Sequence, residues 1–79
     1  MSRWVVYIVR CSDRSLYTGI TTDLKARLIR HNAGTASKYT RSRRPVRVVY
    51  TQRMKNESAA RKREARIKRM SRKEKEALL

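Results

Sequence analysis

The run from Arg3 to Cys11, RWVVYIVRC, constrains the fold more than any other stretch of the chain. It is β-branched and aromatic, carries no breaker, and reads as a strand. In an extended backbone Trp4, Val6 and Ile8 point to one side and Val5, Tyr7 and Val9 to the other. Both sides are apolar, so the strand must be central in its sheet and covered on each face. Ser12 to Ser15 is a polar turn. Leu16 to Ile20 (LYTGI) forms a second short strand, and so tight a link requires an antiparallel hairpin.

Thr22 can cap a helix that opens with Asp23, runs to about Asn32 and stops at Ala33-Gly34. Residues 33–45 read as a basic loop. Pro45 opens a third strand over 46–52. Asn56 can cap a second helix over 57–69, and Ser71 to Glu74 (SRKE) matches a capping box that starts a short last one. The expected fold class is α/β, of the α+β kind: a three-stranded antiparallel sheet with the first strand central, flanked by helices in the order β-β-α-β-α-α. The chain has 79 residues, with no internal repeat and no long linker, so a single domain over 1–79 is expected. A domain of this size buries only about 60% of the surface its unfolded chain exposes. Polar residues beside so thin a core need a reason.

Charge narrows the partners. Twenty-two Lys and Arg oppose six Asp and Glu, a net +16. Both halves of the chain are basic, so this is not a charged tail on a neutral domain. Polyanions are the expected partners, nucleic acid first and an anionic membrane surface second. No stretch approaches the roughly 18 apolar residues of a membrane span. Trp4 to Val9 is also too short, and too closely flanked by arginine, for a signal peptide. A cytoplasmic location is expected, nucleoid-associated if DNA is the partner. Cys11 is the only cysteine and His31 the only histidine, which excludes a conventional His/Cys zinc cluster. No Walker loop and no glycine-rich nucleophile turn is present.

Several polar residues lie beside apolar stripes. On the first helix Leu24 and Leu28 mark the buried side, and Arg27 and His31 flank it one turn apart, where a side chain can be held and still reach a ligand. On the next helix Ala59, Ala60, Ile67 and Met70 form the apolar face, with Glu64 at its margin. One acid at the buried edge of a basic helix needs a partner, either an arginine or a metal ion. In the hairpin Tyr7 and Tyr17 emerge on the same sheet face if opposed residues sum to an even number. Gly19 shares that face and leaves a gap beside Tyr17 that a phosphate could enter, or else marks a bulge. The loop segment KYTRSRR offers Lys38, Tyr39, Arg41, Arg43 and Arg44 for backbone contacts and base stacking; a solvated charge run reads equally well.

Tyr7, then Tyr17-Thr18-Gly19, then Arg27, His31 and a later acidic residue, here Glu64, resemble the GIY-YIG nuclease superfamily. SLYTGIT (15–21), KYT (38–40) and RRPV (43–46) resemble its small stand-alone bacterial members over nearly the whole length. The resemblance implies metal-dependent hydrolysis of DNA phosphodiesters, structure- or lesion-directed, in repair or recombination. It implies that Tyr7 and Tyr17 are the motif tyrosines, Arg27 the phosphate-binding arginine and Glu64 the ligand of one Mg²⁺ or Mn²⁺. His31 fills a position held by His or Tyr. The general base is Tyr7, Tyr17 or His31, with a tyrosine favoured. Several features depart from the pattern: the second motif reads Tyr-Thr-Gly, and no downstream asparagine matches the one that some nucleases use. Val5 stands where the first motif has its leading glycine, and Ile20 stands where some members have a lysine. A core without an appended recognition domain implies weak sequence preference, or targeting by a partner protein. The alternative reading is a nucleic-acid-binding module, for DNA or structured RNA, that keeps the fold without turnover.

Overall fold

The computed structural model describes residues 2–79. Three strands, β1 (Val5–Arg10), β2 (Leu16–Thr21) and β3 (Arg47–Arg53), are accompanied by four helices, α1 (Leu24–Ala33), α2 (Lys38–Arg41), α3 (Glu57–Lys68) and α4 (Arg72–Glu76). The sheet is antiparallel in the order β2-β1-β3, so β1 is central, as its two apolar faces require. Val6 and Ile8 pack with Ala60 and Ile67 of α3 on one side. Tyr7 and Val9 pack on the other with Cys11, Val46 and the half-buried Leu24 and Leu28 of α1. The core is therefore two thin layers separated by one strand.

Register decides what reaches the site. Tyr7 lies directly opposite Gly19 and Val9 opposite Tyr17, so the tyrosines and the glycine share the α1 face. β2 and β3 are the two edge strands. The pairing of β1 with β3 shifts between Ile8 and Val9, which leaves Val49 without a partner in the ladder.

The elements differ from expectation at several ends. Asp23, not Thr22, caps α1: its carboxylate accepts from the Ala26 N–H at 3.0 Å, and Thr22 lies outside the helix. An Asp cap also places its negative charge at the positive end of the helix dipole. Gly34 ends α1 at φ 81°, a left-handed conformation that glycine adopts without strain. β3 runs one residue further along the chain, and α3 ends one residue earlier, than the pattern suggests. The capping box at Ser71 and Glu74 forms with both of its bonds.

The larger difference is α2, inside what reads as loop, which makes the order β-β-α-α-β-α-α. Four residues cannot nucleate a helix from their own propensity. Two flanking side chains and one from α1 hold this turn in place. Ser37 caps it through the Thr40 N–H, Arg44 Nε donates to Arg41 O, and His31 bonds the Thr40 hydroxyl. Asn32, at the end of α1, brackets the start of β3 by accepting from Val46 N at 2.8 Å and donating to Val46 O at 3.1 Å.

Candidate active site

A cleft of about 330 Å³ is lined by Tyr7, Tyr17 and Gly19 from the α1 face of the hairpin, Trp4 and Ile20 from the other face, Arg27 of α1, and Arg61 and Glu64 of α3. It straddles β2, an edge strand. Helices from opposite faces of the sheet thereby place a guanidinium and a carboxylate beside two phenols.

Gly19 is neither an open gap nor a bulge. The Tyr7 ring fills the space that a side chain would take: a Cβ built on Gly19 would lie 2.5 Å from the Tyr7 hydroxyl oxygen and 2.7 Å from Cζ. The Tyr7 hydroxyl is 2.8 Å from His31 Nε2, and both side chains are buried. Burial pushes the phenol up to about 12, although Arg27 beside it pulls the other way. Tyr7 is therefore a neutral phenol at pH 7.

His31 is not at the boundary of core and surface, as the helical wheel suggests, but fully enclosed. The wheel gives direction from the axis of α1 alone; α2, absent from the expected order, closes over the ring. Nδ1 is 2.9 Å from Thr40 Oγ1, so both ring nitrogens are engaged. The edges of Tyr7 and Tyr17 flank it, with centroids 5.7 and 5.4 Å away. Burial first, then Arg27 and Arg30, hold the imidazole below its ordinary value. The unfolded chain therefore takes up a proton before the folded one does. Stability is complete above the ordinary imidazole value of about 6.5 and falls as pH drops below it. Urea midpoints measured from about pH 7.5 down to about pH 5, a range that spans that value, should decline for the wild type and stay flatter for His31→Gln.

Arg27 and Glu64 reach the cleft as the wheel suggests, both half-buried. The six carboxylates separate clearly. Asp13 holds Ser15 and Arg43, Asp23 and Glu74 cap helices, Glu57 pairs with Arg61, and Glu76 pairs with Arg10 and Arg72. Glu64 has only the exposed Lys68 one turn on, at 3.3 Å. It is the one carboxylate lining the cleft, and an exposed i,i+4 pair leaves such a group available to a ligand.

The basic loop divides in two. Arg43 stacks its guanidinium over Tyr39 at 4.0 Å, donates to Tyr39 O and pairs with Asp13. Arg44 donates to Arg41 O and Asn32 O. Both are engaged in holding α2. The Tyr39 ring, expected to stack on bases, carries Arg43 and lies alongside Tyr17 at 5.8 Å and 24°, so it buttresses Tyr17. Lys38 and Arg41 are exposed, with no side-chain hydrogen bond or ion pair among the described residues. Thr40 has no counterpart in the expected site. It lies in KYT, where only the pairing with a histidine nine positions earlier distinguishes it, and nothing in the local pattern announces that pairing.

The GIY-YIG catalytic domain family matches this chain over residues 3–77. The chain belongs to the GIY-YIG family. Among curated relatives it is 51% identical over 75 residues to a UPF0213 protein of Staphylococcus haemolyticus, covering 95% of this chain and 92% of that one. It is also 51% identical over 73 residues to a UPF0213 protein of Halobacterium salinarum, covering 92% and 95%. The solution NMR structure of a UPF0213 protein from Bacillus halodurans superposes with a TM-score of 0.61 at 43% identity, over 95% of this chain and 80% of that one. The GIY-YIG fold is thus the α+β arrangement described above, and the family is one of nucleases. No helix among the described residues is long and apolar enough to cross a membrane.

GIY-YIG nucleases generally use a divalent metal. Among the described residues no three His, Cys, Asp or Glu side chains gather as a ligand cage, and both nitrogens of His31 are occupied. What the cleft offers is one carboxylate oxygen donor, Glu64. That suits a hard cation such as Mg²⁺ or Mn²⁺, which keeps several waters and completes its shell with substrate phosphate.

Proposed function

We propose that this GIY-YIG chain is a metal-dependent endonuclease that hydrolyses DNA phosphodiester bonds, directed to structured or damaged sites in repair or recombination. One observation carries the reading: Tyr7, Tyr17, Arg27 and Glu64 converge on one cleft from two strands and two helices on opposite faces of the sheet. Arg27 supplies a planar cation for the scissile phosphate, where negative charge grows as the bond breaks. Glu64 would hold Mg²⁺ or Mn²⁺, which supplies charge neutralisation at the phosphate and at the leaving oxygen when bound.

Tyr7 is the general base in this reading. A phenol near 12 cannot take a proton from water unless its own proton has somewhere to go, and His31 Nε2 is within hydrogen-bond reach. The water oxygen bonds to phosphorus as its proton passes to the Tyr7 oxygen. The Tyr7 proton moves to His31, and the bond from phosphorus to the leaving sugar oxygen breaks. The leaving oxygen is protonated from solvent, and His31 later returns its proton through Tyr7. The arriving phosphate charge favours the transient imidazolium. Tyr17, whose hydroxyl-bearing ring leans on His31, helps to orient the water.

Supercoiled plasmid and branched DNA, incubated with Mg²⁺ or Mn²⁺, should be nicked by the wild type. Retained DNA affinity with no cleavage across metals and substrates gives the alternative, a binding module that the net charge of +16 serves equally well. Preference for structured RNA without DNA cleavage gives its RNA form. Lys38→Ala with Arg41→Ala should lower the salt dependence of DNA affinity by about two phosphate contacts, roughly one per cation removed. Arg43→Ala or Arg44→Ala should instead lower thermal stability. Fluorescence anisotropy over a salt series and thermal melts separate the two outcomes.

A further inference from the structure

We propose that Thr40 is a positioning residue for Tyr7, acting through His31: its oxygen accepts from Nδ1–H and so holds Nε2 bare toward the Tyr7 hydroxyl. The groups form one buried line. The Tyr7 hydroxyl is 2.8 Å from Nε2, Nδ1 is 2.9 Å from Thr40 Oγ1, and Thr40 Oγ1 is 3.4 Å from Ser37 O and 3.2 Å from Ser37 Oγ. His31 and Thr40 are at most 1% exposed, so no water reaches the imidazole to rescue a wrong assignment.

The proton positions follow from either end. At the Tyr7 end, Arg27 lines the same cleft as the phenol, and its guanidinium can only donate. A phenol hydrogen turned away from that cation points toward Nε2, the hydrogen-bond partner of the hydroxyl among the described residues, and Nε2 is then without a proton. At the Thr40 end, a helical threonine turns its hydroxyl hydrogen to the carbonyl three or four residues back, here Ser37 O. Its lone pair is left for Nδ1, which must carry the proton. The reverse tautomer would turn the phenol hydrogen toward the cleft that Arg27 lines. It would also take the Thr40 hydrogen from Ser37 O. The two ends agree on one tautomer. The α2 turn that carries the exposed cations Lys38 and Arg41 thus also sets the proton arrangement at Tyr7.

The effect on turnover rests on the nuclease reading; the tautomer does not. His31 is the only histidine, so ¹⁵N-edited NMR of the imidazole gives one unambiguous pair of nitrogen signals. In the wild type above about pH 7, beyond the ordinary imidazole value, Nδ1 should be protonated and Nε2 bare. Thr40→Val, which keeps the shape but removes the acceptor, should shift population to the Nε2–H form; Thr40→Ser should retain the wild-type signals. In a plasmid assay Thr40→Val should lose roughly tenfold in kcat with KM unchanged, and Thr40→Ser should recover most of it, as expected for the outer partner of a functional imidazole. An Nε2–H tautomer in the wild type overturns the proposal. So does a Thr40→Val protein with unaltered tautomer and rate. If Thr40→Val does not fold, the wild-type tautomer and its retention in Thr40→Ser decide. A wild type that binds DNA but cleaves nothing sinks the nuclease reading alone, since the tautomer is still read directly.

Discussion

Glu64→Gln should abolish cleavage, by roughly a hundredfold or more with either Mg²⁺ or Mn²⁺, while leaving the fold and DNA affinity intact. The expectation follows from how the acids are used. Five of the six carboxylates cap a helix or bond a neighbouring side chain in the scaffold, so their loss would act through stability. Glu64 has one exposed lysine partner, and an i,i+4 pair of that kind is worth only about 0.3–0.5 kcal/mol. Gln keeps the size and one oxygen acceptor but removes the charge that a hard cation needs. Affinity for DNA should hold or rise slightly, because a negative charge leaves a basic cleft. Thermal melts, anisotropy and plasmid nicking measured on the same preparations test each part. Equal nicking by wild type and Glu64→Gln would remove Glu64 from the chemistry.

The parts of this architecture legible in the sequence are those set by local rules. Alternation on both faces of the first strand dictated a central position. Asn56, Gly34 and the Ser71–Glu74 box marked helix ends, because capping is chemistry between near neighbours. Parity placed Tyr7, Gly19 and Tyr17 on one face, and the helical wheels aimed Arg27 and Glu64 toward the same region. What stayed hidden was set by side-chain contacts that follow no repeat. α2 exists because Arg44, Ser37 and His31 hold it, and none of those bonds has a sequence period. Without α2, His31 reads as a boundary residue, Thr40 as loop, and Arg43 and Arg44 as free cations. A short turn missed between Gly34 and Pro45 thus accounts for most of the errors at the site. Gly19 is a separate case. Its missing side chain was visible, but whether the vacancy served a ligand or a neighbour depended on the rotamer of Tyr7 across the hairpin.

Gly19→Ala should be among the most damaging single-methyl changes available to this chain. The added Cβ would meet three atoms of the Tyr7 ring system, at 2.5, 2.7 and 3.0 Å, all closer than carbon normally approaches. Gly19 pairs directly with Tyr7 in the ladder, so the backbone cannot retreat without breaking the hairpin. The ring cannot yield in place either, because Tyr7 is 1% exposed and bonded to His31. It must leave its position. Overpacking costs about 1–3 kcal/mol, and a buried His31 Nε2 left without a partner costs about another 1–3 kcal/mol. For a domain of this size each kcal/mol lowers Tm by roughly 4–8 °C, so a drop on the order of 10 °C or more is expected. Cleavage should fall with it even well below the new Tm, since the phenol no longer stands against the imidazole. A double-mutant cycle isolates the clash: in a Tyr7→Ser background the ring is gone, and adding Gly19→Ala should cost little further stability. A Gly19→Ala protein that melts within a degree or two of wild type, that is, with roughly a few tenths of a kcal/mol lost, would mean that the Tyr7 ring does not occupy the glycine's vacancy. The Tyr7–His31 couple on which the proposed chemistry depends would then have to be abandoned.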